Sequence, residues 1–210
     1  MSDRGRVRDR PEGMHTGRLF VAVLLPESWL ALLGEAQQEL RQVGLGLRYV
    51  RLEGIHLTLK FLGETASDRI AVIERELAEA AVGARPFTLR LGALGTFGPP
   101  RRPRVVWAGV DGDRERLHDL HEAVDLALHR AGFDRERRAF NPHLTLARVP
   151  DQMPAAEATR IGSALAKRAW HTAAPYTVNS LALMRSELGA GGARYTALGA
   201  WPLGGDSGPV

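Results

Sequence analysis

One tetrapeptide occurs twice in the sequence, and its residue types are those of acid–base chemistry. The copies are His56-Leu57-Thr58-Leu59 and His143-Leu144-Thr145-Leu146. Their flanking residues are β-branched or apolar, which is typical of a buried strand. Side chains alternate along a strand, so the histidine and threonine of each copy share one face while the leucines take the other. Each copy is therefore predicted to present an imidazole and a hydroxyl to one side.

Two histidines that face one pocket form a complete acid–base pair. Near the ordinary pKa of about 6.5, one imidazole accepts a proton while the other, already protonated, donates one. The hydroxyls of Thr58 and Thr145 can donate to the non-bridging oxygens of a phosphate held between the imidazoles. This arrangement suits a phosphodiester with a good internal leaving group, attacked in line, and requires no metal. The alternative, that each histidine only fills a core position, is disfavoured by the doubled motif.

The elements that must position these residues repeat in a similar order around each motif. Apolar periodicity predicts helices over 27–42, 68–81, 114–131 and 155–168, and strands over 18–25, 47–50, 55–62, 87–94, 104–110, 143–149, 176–184 and 194–198. The predicted fold class is α+β, with two pseudo-symmetric lobes of mainly antiparallel sheet, flanked by helices, and an active-site cleft between them. No linker separates the lobes, so we expect a single bilobal domain over 18–203, with a disordered leader (1–17) and a disordered tail (204–210).

Composition narrows the class of protein without identifying it. The 210 residues contain no cysteine, which excludes disulfides, thiolate metal sites and a cysteine nucleophile. The net charge is +4, and nearly all the basic residues are arginine. Genome composition and a phosphate-bearing partner explain this arginine excess equally well. No apolar run approaches the roughly 20 residues that span a bilayer, so we expect no membrane association. The absence of cysteine fits the expected cytoplasmic location. No surplus of amphipathic surface demands a partner, so we expect a monomer.

Longer segments around both motifs resemble a known family. The matching segments are Arg18-Leu19-Phe20-Val21-Ala22, His56-Leu57-Thr58-Leu59-Lys60-Phe61-Leu62-Gly63, Pro103-Arg104-Val105-Val106-Trp107, Phe140-Asn141-Pro142-His143-Leu144-Thr145-Leu146-Ala147-Arg148, and the closing Ser186 and Tyr195. From about Arg18 to Leu203 the chain resembles the two-histidine (2H) phosphoesterases. Within them it resembles the RNA 2′,3′-cyclic phosphodiesterases, also called 2′-5′ RNA ligases.

The resemblance implies an activity and a role for each site residue. It implies metal-independent hydrolysis of RNA 2′,3′-cyclic phosphate ends to 2′-phosphates without a cofactor, with tRNA fragments among the candidate substrates. His56 resembles the proton donor and His143 the proton acceptor, although two identical tetrapeptides cannot be ordered from sequence. Arg148 resembles the family's phosphate-binding arginine. The alternatives are ATP-independent, reversible 2′-5′ RNA ligation, and a non-catalytic module that binds RNA ends.

The fifth residue after each histidine raises a question of geometry. Arg148 follows His143 and Phe61 follows His56 at this spacing. Strict alternation would point Arg148 to the leucine face, so it must lie at a strand end or at a β-bulge to reach the cleft. Phe61 is either a core residue or an aromatic surface that contacts a base.

Several other residues carry weaker signals. His118 and His121 are three apart on a predicted helix, a spacing that could bind metal, but we expect a solvated helix face because no third ligand is evident. Two basic stretches, around Arg101 to Arg104 and Arg135 to Arg138, are either solvated surface or a rim that binds RNA phosphates.

Overall fold

One antiparallel sheet of nine strands carries both motifs at its centre. The computed structural model describes residues 16–99, 101–165, 173–189 and 192–204. Within these residues the strands are β1 (Thr16–Val23), β2 (Arg48–Tyr49), β3 (Leu57–Ala66), β4 (Phe87–Phe97), β5 (Val105–Gly112), β6 (His143–Arg148), β7 (Tyr176–Val178), β8 (Ser180–Gly189) and β9 (Gly192–Pro202). Their order in the sheet is β7-β4-β5-β6-β3-β1-β8-β9, and β2 pairs with β6. The first motif leads into β3 and the second begins β6, so the two motif strands are neighbours.

The helices cover one face of this sheet. They are α1 (Glu27–Gln42), α2 (Ile70–Gly83), α3 (Arg114–Arg130) and α4 (Ala155–Leu165). Their apolar residues join one core with the strand residues that point the same way, including Leu57 and Leu144. A second, smaller apolar cluster of Phe20, Ala22, Ala182 and Met184 is separate from that core. Among the described helices, none combines the length and the apolar composition that a membrane span requires.

The predicted α+β class with antiparallel, pseudo-symmetric halves is confirmed, and the halves join in one continuous, curled sheet. The join is the pairing of Leu57 with Leu144 between β3 and β6. On either side the partners correspond, since β1 flanks β3 as β5 flanks β6. The pseudo-two-fold axis therefore passes between β3 and β6. The two motifs are adjacent for this reason, and no linker separates the halves.

Element boundaries differ from the predicted ones where backbone geometry is irregular. Helix α1 has the predicted bounds, but β1 begins at Thr16, inside the expected leader. Strand β3 continues to Ala66, past Gly63, where the sequence predicts its end. Gly63 instead adopts a φ of 71° beside a register shift, so the glycine bends the strand without ending it. Residues 1–15 of the leader, 166–168 of the last predicted helix and 205–210 of the tail lie outside the described residues.

Candidate active site

The register of the central strands places the four motif side chains on one face. Leu57 and Leu144 are paired and buried against the helices. Extending this antiparallel pairing by one residue in each direction puts His56 opposite Thr145 and Thr58 opposite His143. Because side chains alternate, all four point away from the leucine core. The face of the sheet without helices therefore carries two imidazoles and two hydroxyls side by side.

Each imidazole is oriented by a backbone carbonyl two residues earlier. Nδ1 of His56 lies 2.8 Å from the Gly54 carbonyl oxygen, and Nδ1 of His143 lies 2.8 Å from that of Asn141. A carbonyl only accepts, so Nδ1 carries the hydrogen in both rings. The same bond fixes the tautomer and the ring orientation in both motifs. Nε2 of each ring therefore remains the nitrogen that can accept or donate a proton.

The surroundings of His56 distinguish it from His143. The ring of Phe20 stacks on His56 at 4.5 Å between centroids, and Tyr195 meets it edge-on at 5.1 Å. Gly54 makes this close approach possible, since a Cβ there would lie 3.0 Å from the Tyr195 ring. Burial disfavours the imidazolium, and with a smaller contribution from the charge of His143 it lowers the pKa of His56 to about 4. His56 is therefore neutral at neutral pH in the free protein.

His143 lies in a different aromatic setting. Phe97 meets its ring edge-on at 4.7 Å, and Trp107 lies 5.2 Å beyond Phe97. Trp107 is paired with Thr145 on the adjacent strand and reaches over Gly95, where a Cβ would lie 2.4 Å from the indole. Two identical tetrapeptides thus have unlike surroundings, and such differences separate the roles of an acid–base pair.

A β-bulge in each motif strand changes the side-chain alternation after the threonine. In β3, Thr58 pairs with Ala22 and Lys60 pairs with Val21, the residue adjacent to Ala22 on β1. Leu59 therefore has no partner on β1 and is the extra residue of the bulge. In β6 the extra residue is Leu146, between the pairs Thr145 with Trp107 and Ala147 with Val106. Two consecutive residues in each strand, Leu59-Lys60 and Leu146-Ala147, are buried as a result. The residue five positions after each histidine is thereby turned to the histidine face.

The bulges determine where Phe61 and Arg148 lie. Phe61 is 71% exposed and lies 6.0 Å from the Phe20 ring, so the interpretation of Phe61 as a core residue is wrong. Arg148 is exposed at the end of β6, and among the described residues none forms a hydrogen bond or ion pair with its side chain. The hydroxyls of Thr58 and Thr145 likewise have no hydrogen-bond partner among the described residues. Besides the two imidazoles, this face of the sheet therefore carries an exposed ring and donors that have no partner among the described residues.

Comparison with known proteins identifies the family. Residues 27–190 match the family model described as the 2′-5′ RNA ligase superfamily. The chain belongs to this superfamily. A relative from Methanothermobacter thermautotrophicus, named RNA 2′,3′-cyclic phosphodiesterase, is 30% identical over 179 residues, covering 85% of this chain and 95% of the relative. A relative of the same name from Bacillus subtilis is 39% identical over 129 residues, or 61% of this chain and 69% of the relative.

Another relative of that name and two solved structures extend the comparison. The Aeropyrum pernix protein is 36% identical over 117 residues, which are 56% of this chain but only 65% of the relative. The structure of TT0787 from Thermus thermophilus has a TM-score of 0.70 at 30% identity, covering 90% of this chain and 99% of that one. The structure of E. coli LigT complexed with 3′-AMP has a TM-score of 0.66 at 26% identity, with the same coverage.

Several residues of this candidate site are not predicted by the sequence patterns. Phe20 and Tyr195 occur in the segments that resemble the family, but the sequence does not indicate that either contacts a histidine. It indicates no role for Phe97. The available signal was alternation in β1, where Phe20 and Ala22 take the face opposite Leu19, Val21 and Val23. Because Tyr195 is far from His56 in sequence, no local pattern indicates that they touch.

The prediction of a solvated helix face is wrong for one of its two histidines. His121 does not lie on a solvated helix face: it is 4% exposed, and only His118 is exposed. Nδ1 of His121 donates to the Leu59 carbonyl at 2.9 Å. In the second basic stretch, Arg135 pairs with the carboxylates of Glu122 and Asp125. Of these two side chains, only His121 contacts a motif strand directly.

The low pKa of His56 predicts a pH dependence of stability. Between about pH 6.5 and pH 4 the unfolded chain binds a proton at this residue that the folded protein excludes. The neutral His56 imidazole therefore contributes its full stabilisation above pH 6.5. The free energy of unfolding falls by about 3 kcal/mol as the pH drops to 4. Urea unfolding at pH 7 and pH 4.5 should show that His56→Leu loses less stability on acidification than the wild type. The matched change at an exposed histidine, His118→Leu, should retain the full wild-type decrease, and equal decreases in all three proteins would contradict the assignment.

Proposed function

We propose that this protein hydrolyses RNA 2′,3′-cyclic phosphate ends to 2′-phosphate ends by acid–base catalysis with His56 and His143. The observation that carries the proposal is the matched orientation of the two imidazoles. Each donates from Nδ1 to a backbone carbonyl and keeps Nε2 for a ligand on the open face. The relatives' names give the substrate class, and the fold neighbour that binds 3′-AMP is consistent with a nucleotide at this face.

In the proposed reaction the two imidazoles act on opposite sides of phosphorus. Nε2 of His143 accepts a proton from water while the water oxygen attacks phosphorus in line with the bond to O3′. That bond breaks, and protonated Nε2 of His56 donates its proton to the departing O3′. The products are a 2′-phosphate and a free 3′-hydroxyl, with one water consumed. Both proton transfers are made by side chains of this chain, so the proposal includes no metal.

The donor role of His56 sets a condition on the substrate complex. In the free protein His56 is neutral, because burial lowers its pKa to about 4. The cyclic phosphate carries a negative charge, and a negative charge beside an imidazole favours the protonated form. We therefore propose that substrate binding raises the pKa of His56, so that the donor becomes protonated in the complex.

The threonine hydroxyls are assigned to the transition state. Thr58 and Thr145 are opposite His143 and His56 respectively, where they reach the non-bridging oxygens of a phosphate between the rings. These oxygens gain charge as water adds to phosphorus, so the hydrogen bonds strengthen in the transition state. Thr58→Val and Thr145→Val should each lower kcat by about 10–100-fold with KM changed less than about threefold. Thr177→Val on β7 is the matched control, and an effect confined to KM would contradict this role.

Phe61 and Arg148 are assigned to substrate binding. The exposed Phe61 ring offers a stacking surface for a base, as aromatic side chains do in other RNA-binding proteins. The Arg148 guanidinium offers two parallel donors to phosphate oxygens. Arg48 lies directly opposite Arg148 on β2, and like charges in that position favour an anion between them. We assign the exposed arginines to the phosphates of an RNA end, which would make binding weaken as salt increases.

A direct comparison of reactions tests the proposed function. An oligonucleotide ending in a 2′,3′-cyclic phosphate is incubated with the protein, EDTA and a second oligonucleotide bearing a 5′-hydroxyl. We expect hydrolysis of the first oligonucleotide in EDTA, seen as a shift on a denaturing gel after phosphatase treatment. A joined 2′,5′ product without hydrolysis would favour ligation. Binding without either product would favour an RNA-end binding module, and loss of hydrolysis on chelation would contradict the metal-free mechanism.

A further inference from the structure

Two buried polar side chains bind the β-bulges from behind the sheet. Leu59 in β3 and Leu146 in β6 are the extra residues of the two bulges, and the backbone carbonyl of each accepts a hydrogen bond from a helix side chain. His121 of α3 donates to the Leu59 carbonyl, and Gln37 of α1 donates to the Leu146 carbonyl, each at 2.9 Å. Both donors are almost completely buried, with exposed fractions of 4% and 2%. In each half of the fold, a buried helix side chain therefore donates a hydrogen bond to the carbonyl of the bulge.

Each donor comes from the helix of the opposite half. Helix α1 precedes the first motif in the chain, yet Gln37 binds the bulge of the second. Helix α3 precedes the second motif, yet His121 binds the bulge of the first. A buried amide or imidazole is costly unless its polar atoms are paired, so the helices are held to these carbonyls. The arrangement links the two motif strands crosswise through the helices.

Gln37 joins the second bulge to the segment after β2. Its Nε2 also donates to the Val50 carbonyl at 2.8 Å, and the Val50 N–H donates to the Leu146 carbonyl at 3.0 Å. The bulge carbonyl thus accepts two hydrogen bonds, and both belong to one closed set of contacts. Arg148 follows two residues later on the same strand, so this set lies immediately behind the strand segment that carries it.

His121 joins the first bulge to the second motif. Its ring stacks on Phe140 at 4.1 Å with an interplanar angle of 5°. Phe140 is followed by Asn141, whose carbonyl orients the His143 imidazole. One side chain therefore contacts both the strand that carries Phe61 and the segment that orients His143.

The bulges have a functional consequence because a single residue of register changes the face of every following side chain. Without the extra residues, Phe61 and Arg148 would point into the leucine core. With them, both share the face of the histidines. Whatever fixes the bulge therefore fixes the position of the substrate-binding residue relative to its histidine.

We propose that Gln37 and His121 are paired positioning residues, which hold the two bulges and thereby set Arg148 and Phe61 on the catalytic face. The proposal rests on the proposed function for its substrate, but the geometry that it assigns is independent of turnover. Gln37 acts through Arg148, and His121 acts through Phe61 and the Asn141 carbonyl. Neither touches the reacting atoms.

The first test is a double-mutant cycle between Gln37→Leu and Arg148→Ala, measured on a nucleoside 2′,3′-cyclic monophosphate. Alone, Gln37→Leu should raise KM by about tenfold with kcat changed less than about threefold. In the Arg148→Ala background the same change should alter KM less than about twofold, since the residue through which it acts is gone. Equal effects in both backgrounds, or no effect on KM in either, would overturn the assignment of Gln37.

The matched control lies on the same helix face. Leu40 of α1 is 3% exposed and belongs to the main core. Leu40→Ala should lower Tm but leave KM within about twofold of the wild type, which separates positioning from general loss of stability. If Gln37→Leu does not fold, Gln37→Met keeps the length of the side chain without its donors and is measured in its place.

The second test needs no turnover and applies conservative replacement. His121→Phe keeps a flat ring against Phe140 without the N–H, whereas His121→Asn keeps an N–H near the position of Nδ1. Cross-strand NOEs report the register directly, through the pairs Val21 with Lys60 and Ala22 with Thr58. We expect these NOEs to be lost in His121→Phe and retained in His121→Asn. Unchanged NOEs in His121→Phe would overturn the assignment of His121, while an inactive wild type with the predicted NOE changes would overturn only the proposed function.

Discussion

His56→Ala and His143→Ala are each expected to lower kcat for a 2′,3′-cyclic nucleotide by about 10²–10⁴-fold. Each change removes one of the two proton transfers, and the remaining imidazole cannot make both. The double variant should be little worse than the slower single variant, because groups that act as a unit are not additive. Steady-state kinetics with EDTA present checks this. Phe97→Leu, which removes aromatic contacts with His143 and Trp107 but no proton-transfer group, is the control and should remain within about tenfold of wild type.

A modified substrate separates the donor from the acceptor. When sulfur replaces the bridging O3′ atom, the leaving thiolate needs no proton. His56→Ala should then recover most of the wild-type rate on the sulfur substrate, since its missing group is the donor. His143→Ala should remain slow, because water still has to lose a proton. Recovery by His143→Ala instead would mean that His143 is the donor and His56 the acceptor. That reversed assignment would agree with the neutral state of His56 in the free protein.

Asp125→Leu is expected to reduce the free energy of unfolding by about 3–5 kcal/mol, because it leaves a buried charge without its partner. Lys60 is 5% exposed and pairs with the Asp125 carboxylate. Its only other partner among the described residues is the Asp134 carbonyl at 2.6 Å. Burial raises the pKa of Asp125, but hydrogen bonds from Lys60, the Glu136 N–H and Arg135 outweigh it and hold that pKa below its ordinary value. Urea unfolding at pH 7 measures the loss.

The matched control for this ion pair removes both charges. Lys60→Met/Asp125→Leu should recover most of the stability, since a buried pair replaced by apolar residues of similar size costs little. The exposed ion pair between Arg18 and Glu64 provides the comparison on the surface. Glu64→Gln should cost less than about 1 kcal/mol. A loss below about 1 kcal/mol for Asp125→Leu would contradict the role assigned to the buried charge.

Periodicity and alternation predicted most of the framework that carries the site. The bounds of α1 follow from its apolar repeat after Pro26, and both motif strands follow from their apolar flanks. Alternation also indicated that Arg148 needed a bulge or a strand end, and the register shift at Leu146 provides one. These features depend on residues that are close together in the chain, so patterns in the sequence predict them.

What the sequence could not predict depends on partners that are distant in the chain. Identical tetrapeptides offer no basis for distinguishing His56 from His143, and the distinction arises from Phe20 and Tyr195 on other strands. His121 resembled a surface residue because its partners, Leu59 and Phe140, are brought to it only by folding. Gln37 carried no motif at all. Buried polar residues of this kind are recognised by the groups they satisfy, and those groups appear only in three dimensions.

The most direct measurement is phosphorus NMR of the product from adenosine 2′,3′-cyclic monophosphate, with EDTA present. We predict that the wild type forms adenosine 2′-phosphate alone, and that the variant with both His56→Ala and His143→Ala forms none. A 2′-phosphate product shows that the bond between phosphorus and O3′ breaks, and this is the step assigned to the two imidazoles. Formation of the 3′-phosphate, or equal product from wild type and double variant, would contradict the proposed acid–base catalysis.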